Sequence, residues 1–510
     1  MVYRFILIAM NHKNSSSVSI NKTTYGEVIT PPEFARNMLL ETLAGSQHLP
    51  HIFKNPALKW LDIGAGRGCF GVALRCILND TLADAIPDAA ARDRHIITRM
   101  LHMVEINPDN VTGYLRPLFG PDANIHQADY LTWDPPAAVH YDVIIGNPPF
   151  NCDGAIKVPT NSDADKHDDG CTVWPHFVRK TLALMRAGGS GSGCCAGGAT
   201  MMCILIPSIW MKPADKSGIF DELITSKFGA VSRLRCFTSL ESNRIFRSGG
   251  GAQTPCCYFA YTHTHNTTND NDNDSKCAVE LRDDVSDTGY TPYSVTPPRP
   301  IPLCGASIIN KLLALMDRTT GRHHVRVLKT NMPGKGVTLS PGATATDEHT
   351  YPCIHSCTMC TVGMKKLPRL SIRYSSHPCA YAGVPKLVLA HKMYGYPYLD
   401  LTGEYGISNR DSYVIELMRD SNGAPDTAWA IQMMTYLSSP IALMVYDATR
   451  YRMQYLERYA FELLPMPPFP FSDAERILGL TAAELAFLSR RQYQPLQPFI
   501  PVSVSTPGPI

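Results

Sequence analysis

Asn147-Pro148-Pro149-Phe150 is where residue type and spacing in this chain suit chemistry best. It follows an apolar run, Tyr141-Asp142-Val143-Ile144-Ile145-Gly146, that reads as a buried parallel strand. The tetrapeptide therefore falls at the C-terminal end of a strand, where open α/β sheets bind their ligands. Its residues suit one task, making an amide-like amine attack a methyl group. The amine of adenine is a poor nucleophile because its lone pair is delocalised into the ring. Two acceptors that take its two N–H hydrogens localise that pair. The side-chain oxygen of Asn147 can be one and the backbone carbonyl of Pro148 the other. The prolines fix φ and add no competing N–H, which holds that carbonyl in place. Phe150 offers a flat face for a planar base, a stack worth about 1–3 kcal/mol. The alternative is a proline turn that only closes a strand.

Three further segments have to position such a corner. Lys59-Trp60-Leu61-Asp62-Ile63 reads as a strand, Gly64-Ala65-Gly66-Arg67-Gly68 as a tight turn, and Val72 to Leu78 as a helix. Strand, glycine turn and helix make the nucleotide-binding corner of a doubly wound sheet. Glycines there admit positive φ and a close ligand. The G-x-G-x-G spacing fits a dinucleotide fingerprint, G-x-G-x-x-G, less well. Met103-Val104-Glu105-Ile106-Asn107 puts Glu105 at a second strand end, where a carboxylate can accept from both hydroxyls of a ribose. Ile125 to Leu131 puts Asp129 at a third, where it can accept from an exocyclic amine. Taken singly, each acid also reads as a solvated strand-end carboxylate. In this order they describe an adenosine pocket beside the Asn-Pro-Pro-Phe corner.

The ordered set resembles the class I S-adenosylmethionine-dependent methyltransferases, and most closely the gamma-class, TaqI-like N6-adenine DNA methyltransferases. The upstream segment Tyr25-Gly26-Glu27-Val28-Ile29-Thr30-Pro31-Pro32 matches the start of that family's signature, which lies against the methionine end of the cofactor. Thr30 also reads as a helix N-cap, with Pro31 first and Glu33 third in the helix. Downstream, Trp174 to Met185 looks like the helix after the catalytic loop and Met201 to Ser208 like the next strand. Asn243-Arg244-Ile245-Phe246 through Gln253 to Phe259 looks like the late hairpin, in which an aromatic packs on the extruded base. The resemblance implies S-adenosylmethionine held by Thr30, Asp62, Gly64, Ala65, Gly66, Glu105, Ile106, Asp129, Tyr130 and Asn147. It implies catalysis by Asn147, Pro148, Pro149 and Phe150, with Phe150 and Phe246 against the base and no metal. The chain departs from the pattern in two places. Asp62 and Glu105 stand 43 positions apart, whereas an analogous ribose-binding acid follows its glycine turn by about 20 residues. Residues 79–96 read as the insertion responsible, and 188–195 as a second loop expansion.

The expected fold is α/β, a Rossmann-like, doubly wound, mostly parallel sheet followed by a C-terminal mixed α+β specificity domain. At 510 residues the chain has room for two or three domains. Residues 1–24 read as a polar leader, with Met10 an alternative start. The methyltransferase domain spans 25–262. A low-complexity and proline-rich linker spans 263–302, because His263 to Lys276 has almost no apolar side chain to bury. The target-recognition domain spans 303–470 and a tail 471–510. Within 303–470, Ser307 to Met316 and Asp426 to Ser438 read as helices, Pro385 to Ala390 and Ser412 to Ile415 as extended, and Ser438-Ser439-Pro440 as a break between helices. No apolar run reaches the ~20 residues that span a bilayer. Sixteen cysteines without a regular framework point to a reducing, intracellular compartment, cytoplasmic or, in a eukaryotic host, nuclear.

The net charge of +2 does not advertise nucleic-acid binding, but local basic clusters do: residues 318–329, Lys365 to Arg373, and Arg450 to Arg458. Cys353, Cys357 and Cys360 share the C-x3-C-x2-C spacing of radical S-adenosylmethionine enzymes, and with His355, His377 or Cys379 could hold zinc; unliganded thiols are the expected outcome. The resulting expectation is a monomeric, site-specific methyltransferase acting on N6 of a flipped adenine in double-stranded DNA, with an accompanying restriction nuclease left open. The alternatives are a protein glutamine N5-methyltransferase, an RNA base methyltransferase, and a DNA-binding protein on an inactive methyltransferase scaffold.

Overall fold

The computed structural model describes residues 24–44, 51–136, 139–154, 171–187, 199–213, 218–224, 229–247, 254–264, 278–285, 289–295, 298–317, 324–362, 365–391, 397–452, 455–466 and 474–490. Residues 1–23 of the expected leader, the loop expansion 188–195 and residues 265–276 of the low-complexity tract lie outside them. The chain divides into two compact units, one made of Met1–Arg282, Tyr290–Leu303 and Tyr451–Met453, the other of Asp283–Gly289, Cys304–Arg450 and Gln454–Ile510.

The first unit opens with helix α1 (Pro32–Leu43). Strand β1 (Trp60–Ile63) is buried along its whole length and passes through the glycine turn into α2 (Cys69–Thr81). Helix α2 turns Phe70, Ala73, Leu74, Ile77 and Leu78 inward, the three- and four-residue spacing of a helix with one apolar face. Helix α3 (Ala89–His95) lies in the expected insertion. Then come β2 (Leu101–Glu105), a helical stretch at 108–119, β3 (Asn124–Gln127) and β4 (Val143–Gly146). The rest is α4 (Trp174–Ala187), β5 (Ala199–Pro207), β6 (Gly229–Phe237), α5 (Ser239–Phe246), β7 (Cys256–Thr264), β8 (Ala278–Arg282) and β9 (Tyr290–Ser294).

These strands form one nine-stranded sheet in the order β9-β8-β6-β7-β5-β4-β1-β2-β3. Strands β3, β2, β1, β4 and β5 are mutually parallel, and β7 runs antiparallel between β5 and β6. This is the doubly wound, mostly parallel architecture expected from the sequence. The chain winds outward from β1 in one direction through β2 and β3, and in the other through β4 and β5. The crevice of such a sheet opens where the winding reverses, between the ends of β1 and β4. The glycine turn leaves β1 there, and Asn-Pro-Pro-Phe leaves β4.

Two sequence expectations need correction. Residues 278–282 and 290–294 fall in the expected linker but are strands that extend the sheet. Strand β8 buries Val279 and Leu281 in strict alternation, and β9 is an edge strand, where Pro292 costs no ladder bond. Asn243 to Phe246 are the last turns of helix α5 and not a hairpin strand. A capping box starts that helix, the Thr238 hydroxyl accepting from Glu241 N–H while the Glu241 carboxylate accepts from Thr238 N–H.

The second unit is mixed α+β. Helix α6 (Ala306–Asp317) precedes a long hairpin, β10 (Tyr351–Val362) with β11 (Lys365–Ser375). Strands β12 (Lys386–Ala390), β13 (Tyr398–Asp400) and β14 (Ser412–Glu416) pair antiparallel in the order β14-β12-β13, and the two-residue strand Leu328–Lys329 completes a four-stranded sheet on the outer side of β14. Helices α7 (Thr427–Leu437) and α8 (Pro440–Ala448) meet at the expected break, where Ser439 Oγ accepts from Ala442 N–H and Pro440 occupies the first turn. Helix α9 (Ala482–Arg490) lies in the expected tail yet is folded into this unit, its buried Glu484 paired with Lys311 of α6. Among the described residues, no single helix is long and apolar enough to cross a membrane.

Candidate active site

A cavity of about 850 Å³ opens in the first unit at the crevice between β1 and β4. Its walls come from residues 24–30, the glycine turn, the end of β2, residues 128–131, the Asn-Pro-Pro-Phe corner with the residues after it, and α5.

The glycine turn forms one wall. Gly64 and Gly66 have φ of 111° and 53°, and a Cβ built on either would meet no atom within 4 Å, because both face open space. The N–H groups of Gly64 and Ala65 both donate to the Val104 carbonyl at 3.0 Å, tying the turn to β2. Glu105 completes the tie. Its Oε2 accepts from Gly66 N–H at 2.6 Å and its Oε1 from Asn107 N–H at 2.9 Å. Burial pushes the Glu105 carboxyl up, and these backbone bonds work against the rise. Next to it, Ile106 is 47% exposed on the cavity wall, an apolar surface suited to a planar ring.

Asp62 sits behind this wall and not on it. It is fully buried and absent from the cavity lining, and neither carboxylate oxygen has a hydrogen-bond partner. Burial, and secondarily the Glu105 charge, raise its pKa to about 8. The sequence reading puts Asp62 among the cofactor ligands; the structure places it behind the glycine turn, off the cavity lining.

Asp129 and Tyr130 form the next wall. Asp129 Oδ1 accepts from Leu131 N–H at 2.9 Å, which fixes the carboxylate at its strand end. Tyr130 is buried, its hydroxyl 2.9 Å from Thr181 Oγ1 and its ring stacked on Phe177 at 5.4 Å. It supports the wall from the protein side.

Asn147 sits at the mouth of β4. Its Nδ2 donates to Thr30 Oγ1 at 2.9 Å, and its Oδ1 is buried with no partner. Pro148 is buried behind it, and Phe150 packs partly buried against the main core while facing the cavity. The N-cap expected at Thr30 does not occur. Helix α1 begins at Pro32 after Pro31, with no side-chain cap. The Thr30 hydroxyl is engaged by Asn147 instead.

Phe246 lines the cavity but is 2% exposed and packs edge-on against Phe34 at 5.4 Å. It is a core aromatic at the back of the site.

Sequence reasoning missed the pairing of Glu27 with Arg67, 3.4 Å apart and both largely buried in the cavity wall. The Arg67 guanidinium also lies 4.7 Å above the Tyr114 ring. A charged residue inside an otherwise glycine-rich turn was the signal available for it. The C-x3-C-x2-C run belongs to strand β10, where Cys353 is buried and its Sγ donates to the Arg373 carbonyl. Among the described residues, no three His, Cys, Asp or Glu side chains converge on a metal position.

No family model matches the chain. A Mycoplasma pneumoniae protein named "Uncharacterized adenine-specific methylase" is 36% identical over 92 residues, 18% of this chain and 21% of that protein. The match thus spans about a fifth of the relative's length. Among solved structures, the methyltransferase subunit of the Streptococcus thermophilus type I restriction-modification system is 15% identical, covering 52% of this chain and 49% of its own, with a TM-score of 0.31. The M protein of the type I restriction enzyme EcoKI is 14% identical, covering 55% and 57%, with a TM-score of 0.33.

Proposed function

We propose that the protein transfers a methyl group from S-adenosylmethionine to the N6 amine of an adenine presented by DNA. The observation that carries the reading is the buried, unpartnered Oδ1 of Asn147, a residue that lines the same cavity as the glycine turn and Glu105. A buried acceptor left without a donor costs about 1–3 kcal/mol. A site keeps such an atom when a ligand supplies the donor, and an exocyclic amine is one.

The surrounding residues fit the cofactor. Gly64 and Gly66 leave room where side chains would otherwise stand. Ile106 offers an apolar face to the adenine ring, and the remaining lone pair of Glu105 Oε2 can accept from the ribose. Glu27 pairs with Arg67, the Glu27 charge reaches Glu105 and the Glu105 charge reaches Asp62, an acidic environment that favours a cationic ligand. When bound there, S-adenosylmethionine supplies an electrophilic methyl carbon on a sulfonium.

The chain's own residues do the rest. Asn147 Oδ1 accepts one amine hydrogen and the Pro148 carbonyl the other, which returns the lone pair to nitrogen. Phe150 stacks on the base and holds it in line. Extruding that base costs a few kcal/mol of stacking. Much of the acceleration then comes from positioning. The proton leaves a cationic nitrogen, so the site requires no strong base. The relative's name, adenine-specific methylase, supports adenine as the acceptor. The second unit, with Arg326 and Lys329 exposed, is the part we assign to holding DNA.

The test is to supply labelled S-adenosylmethionine with DNA, RNA and protein acceptors together, and to identify the product nucleoside by mass spectrometry. N6-methyladenine in DNA is expected. Label on a glutamine of a protein acceptor, or on RNA alone, would replace this reading.

A further inference from the structure

Residues 24–30 run along the catalytic loop in antiparallel order and touch it at three points. Asp153 N–H donates to the Thr24 carbonyl at 3.4 Å. Gly26, at φ +66°, lies so close to the loop that a Cβ there would sit 1.9 Å from the Asn151 carbonyl oxygen and 3.0 Å from Pro149 Cβ. At the far end, Thr30 Oγ1 accepts from Asn147 Nδ2 at 2.9 Å. The Thr30 side chain is not spent on capping α1, and the residue is 5% exposed.

An asparagine amide has two faces of opposite character, and turning it over exchanges acceptor for donors. In the proposed reaction only one face works. With Oδ1 toward the cavity, Asn147 accepts from the substrate amine. With Nδ2 toward the cavity, it would set N–H against N–H. We infer that Thr30 is the positioning residue that anchors the Asn147 amide through Nδ2 and leaves Oδ1 as its free acceptor, and that residues 24–30 are the brace that fixes this geometry. The inference rests on the methyl-transfer reading of the cavity.

The Thr30 hydroxyl receives one Nδ2 hydrogen in a part-buried bond. Gly26 adds to the effect by letting the brace lie directly on the loop backbone. A side chain at residue 26 would have to displace the Asn151 carbonyl, and with it the loop that carries Asn147.

The test compares T30V, T30S and N147A by single-turnover methyl transfer and by cofactor affinity, each at saturating DNA. N147A tests the reading itself: if it stays active, the assignment of Asn147 fails whatever Thr30 does. T30V keeps shape and removes the acceptor. It should slow transfer on the order of 10–100-fold, the scale of a misplaced reacting group, with cofactor affinity within about twofold of wild type. T30S keeps the hydroxyl and should recover most of the rate. The inference is overturned if T30V transfers at the wild-type rate. It is equally overturned if T30V loses cofactor affinity in proportion, since Thr30 would then be a cofactor ligand. A T30S as slow as T30V would overturn the inference as well, since a retained hydroxyl would then not hold the rate. Should T30V fail to fold, T30A carries the same comparison.

Discussion

In the second unit, Lys386 is completely buried, and its Nζ donates to Asp400 Oδ2 at 2.6 Å and to the carbonyls of Tyr381 and Val384 at 3.1 Å. Asp400 also accepts from the N–H groups of Glu404 and Tyr405 at 2.9 and 3.0 Å. In the first unit, Asp62 is buried as deeply, and neither of its oxygens has a partner; nor does Asn147 Oδ1. Both arrangements desolvate polar groups, yet only one returns the hydrogen bonds. A satisfied buried pair ties down a fold. An unsatisfied one stores a cost that a ligand can relieve. The contrast accords with the methyl-transfer reading proposed for the first unit and reads the Lys386–Asp400 pair as framework.

The largest effect should come from breaking the framework pair. Lys386→Met leaves a buried carboxylate without its cation and should cost about 3–5 kcal/mol of second-unit stability, read by urea denaturation. A wild-type midpoint would erase the contrast. Next, Asn147→Ala should reduce methyl transfer on the order of 10²–10³-fold, as loss of one aligned hydrogen-bonding group does, with only a small drop in melting temperature, because in the free protein it removes the part-buried Nδ2–Thr30 bond while the oxygen makes none.

Asp62 sharpens the comparison through protons. Its pKa of about 8, against an ordinary value of 3.8, means that the folded protein without cofactor holds the carboxyl protonated at pH 7. A cationic ligand favours the ionised form, so binding should release a proton, approaching about one per site. Calorimetry in buffers of different ionisation enthalpy measures this, and Asp62→Asn should abolish the Asp62 share. The same shift means that cofactor-free protein loses stability as pH rises from 3.8 toward 8, because the unfolded chain ionises first. The smallest effect concerns α5, whose Asn243 and Phe246 back the cavity. Thr238→Ala removes its capping box and should cost about 1 kcal/mol, seen as a modest drop in melting temperature.

The central sheet and the corner after β4 were legible in the sequence because both depend on local patterns. Four-residue apolar runs, a glycine turn and a proline pair each announce themselves within a few positions. What was not legible depends on distant partners. Thr30 reads as an N-cap until Asn147, 117 positions away, is seen to hold its hydroxyl. Asp62 reads as a cavity ligand because the strand end is obvious, whereas the turn that hides it is a matter of three dimensions. Strands β8 and β9 were concealed by composition: a polar tract precedes them and Pro292 interrupts the second, yet β8 keeps the alternation of a half-buried strand. Pairing to an existing sheet edge let such weak segments become strands.

The most direct measurement is a crystal structure of the protein with bound S-adenosylmethionine. The account expects the adenosine against Ile106 and Glu105, and the sulfonium methyl directed at the space before Asn147 Oδ1 and the Pro148 carbonyl. A cofactor bound elsewhere, or an Asn147 oxygen turned away from that methyl, would contradict it.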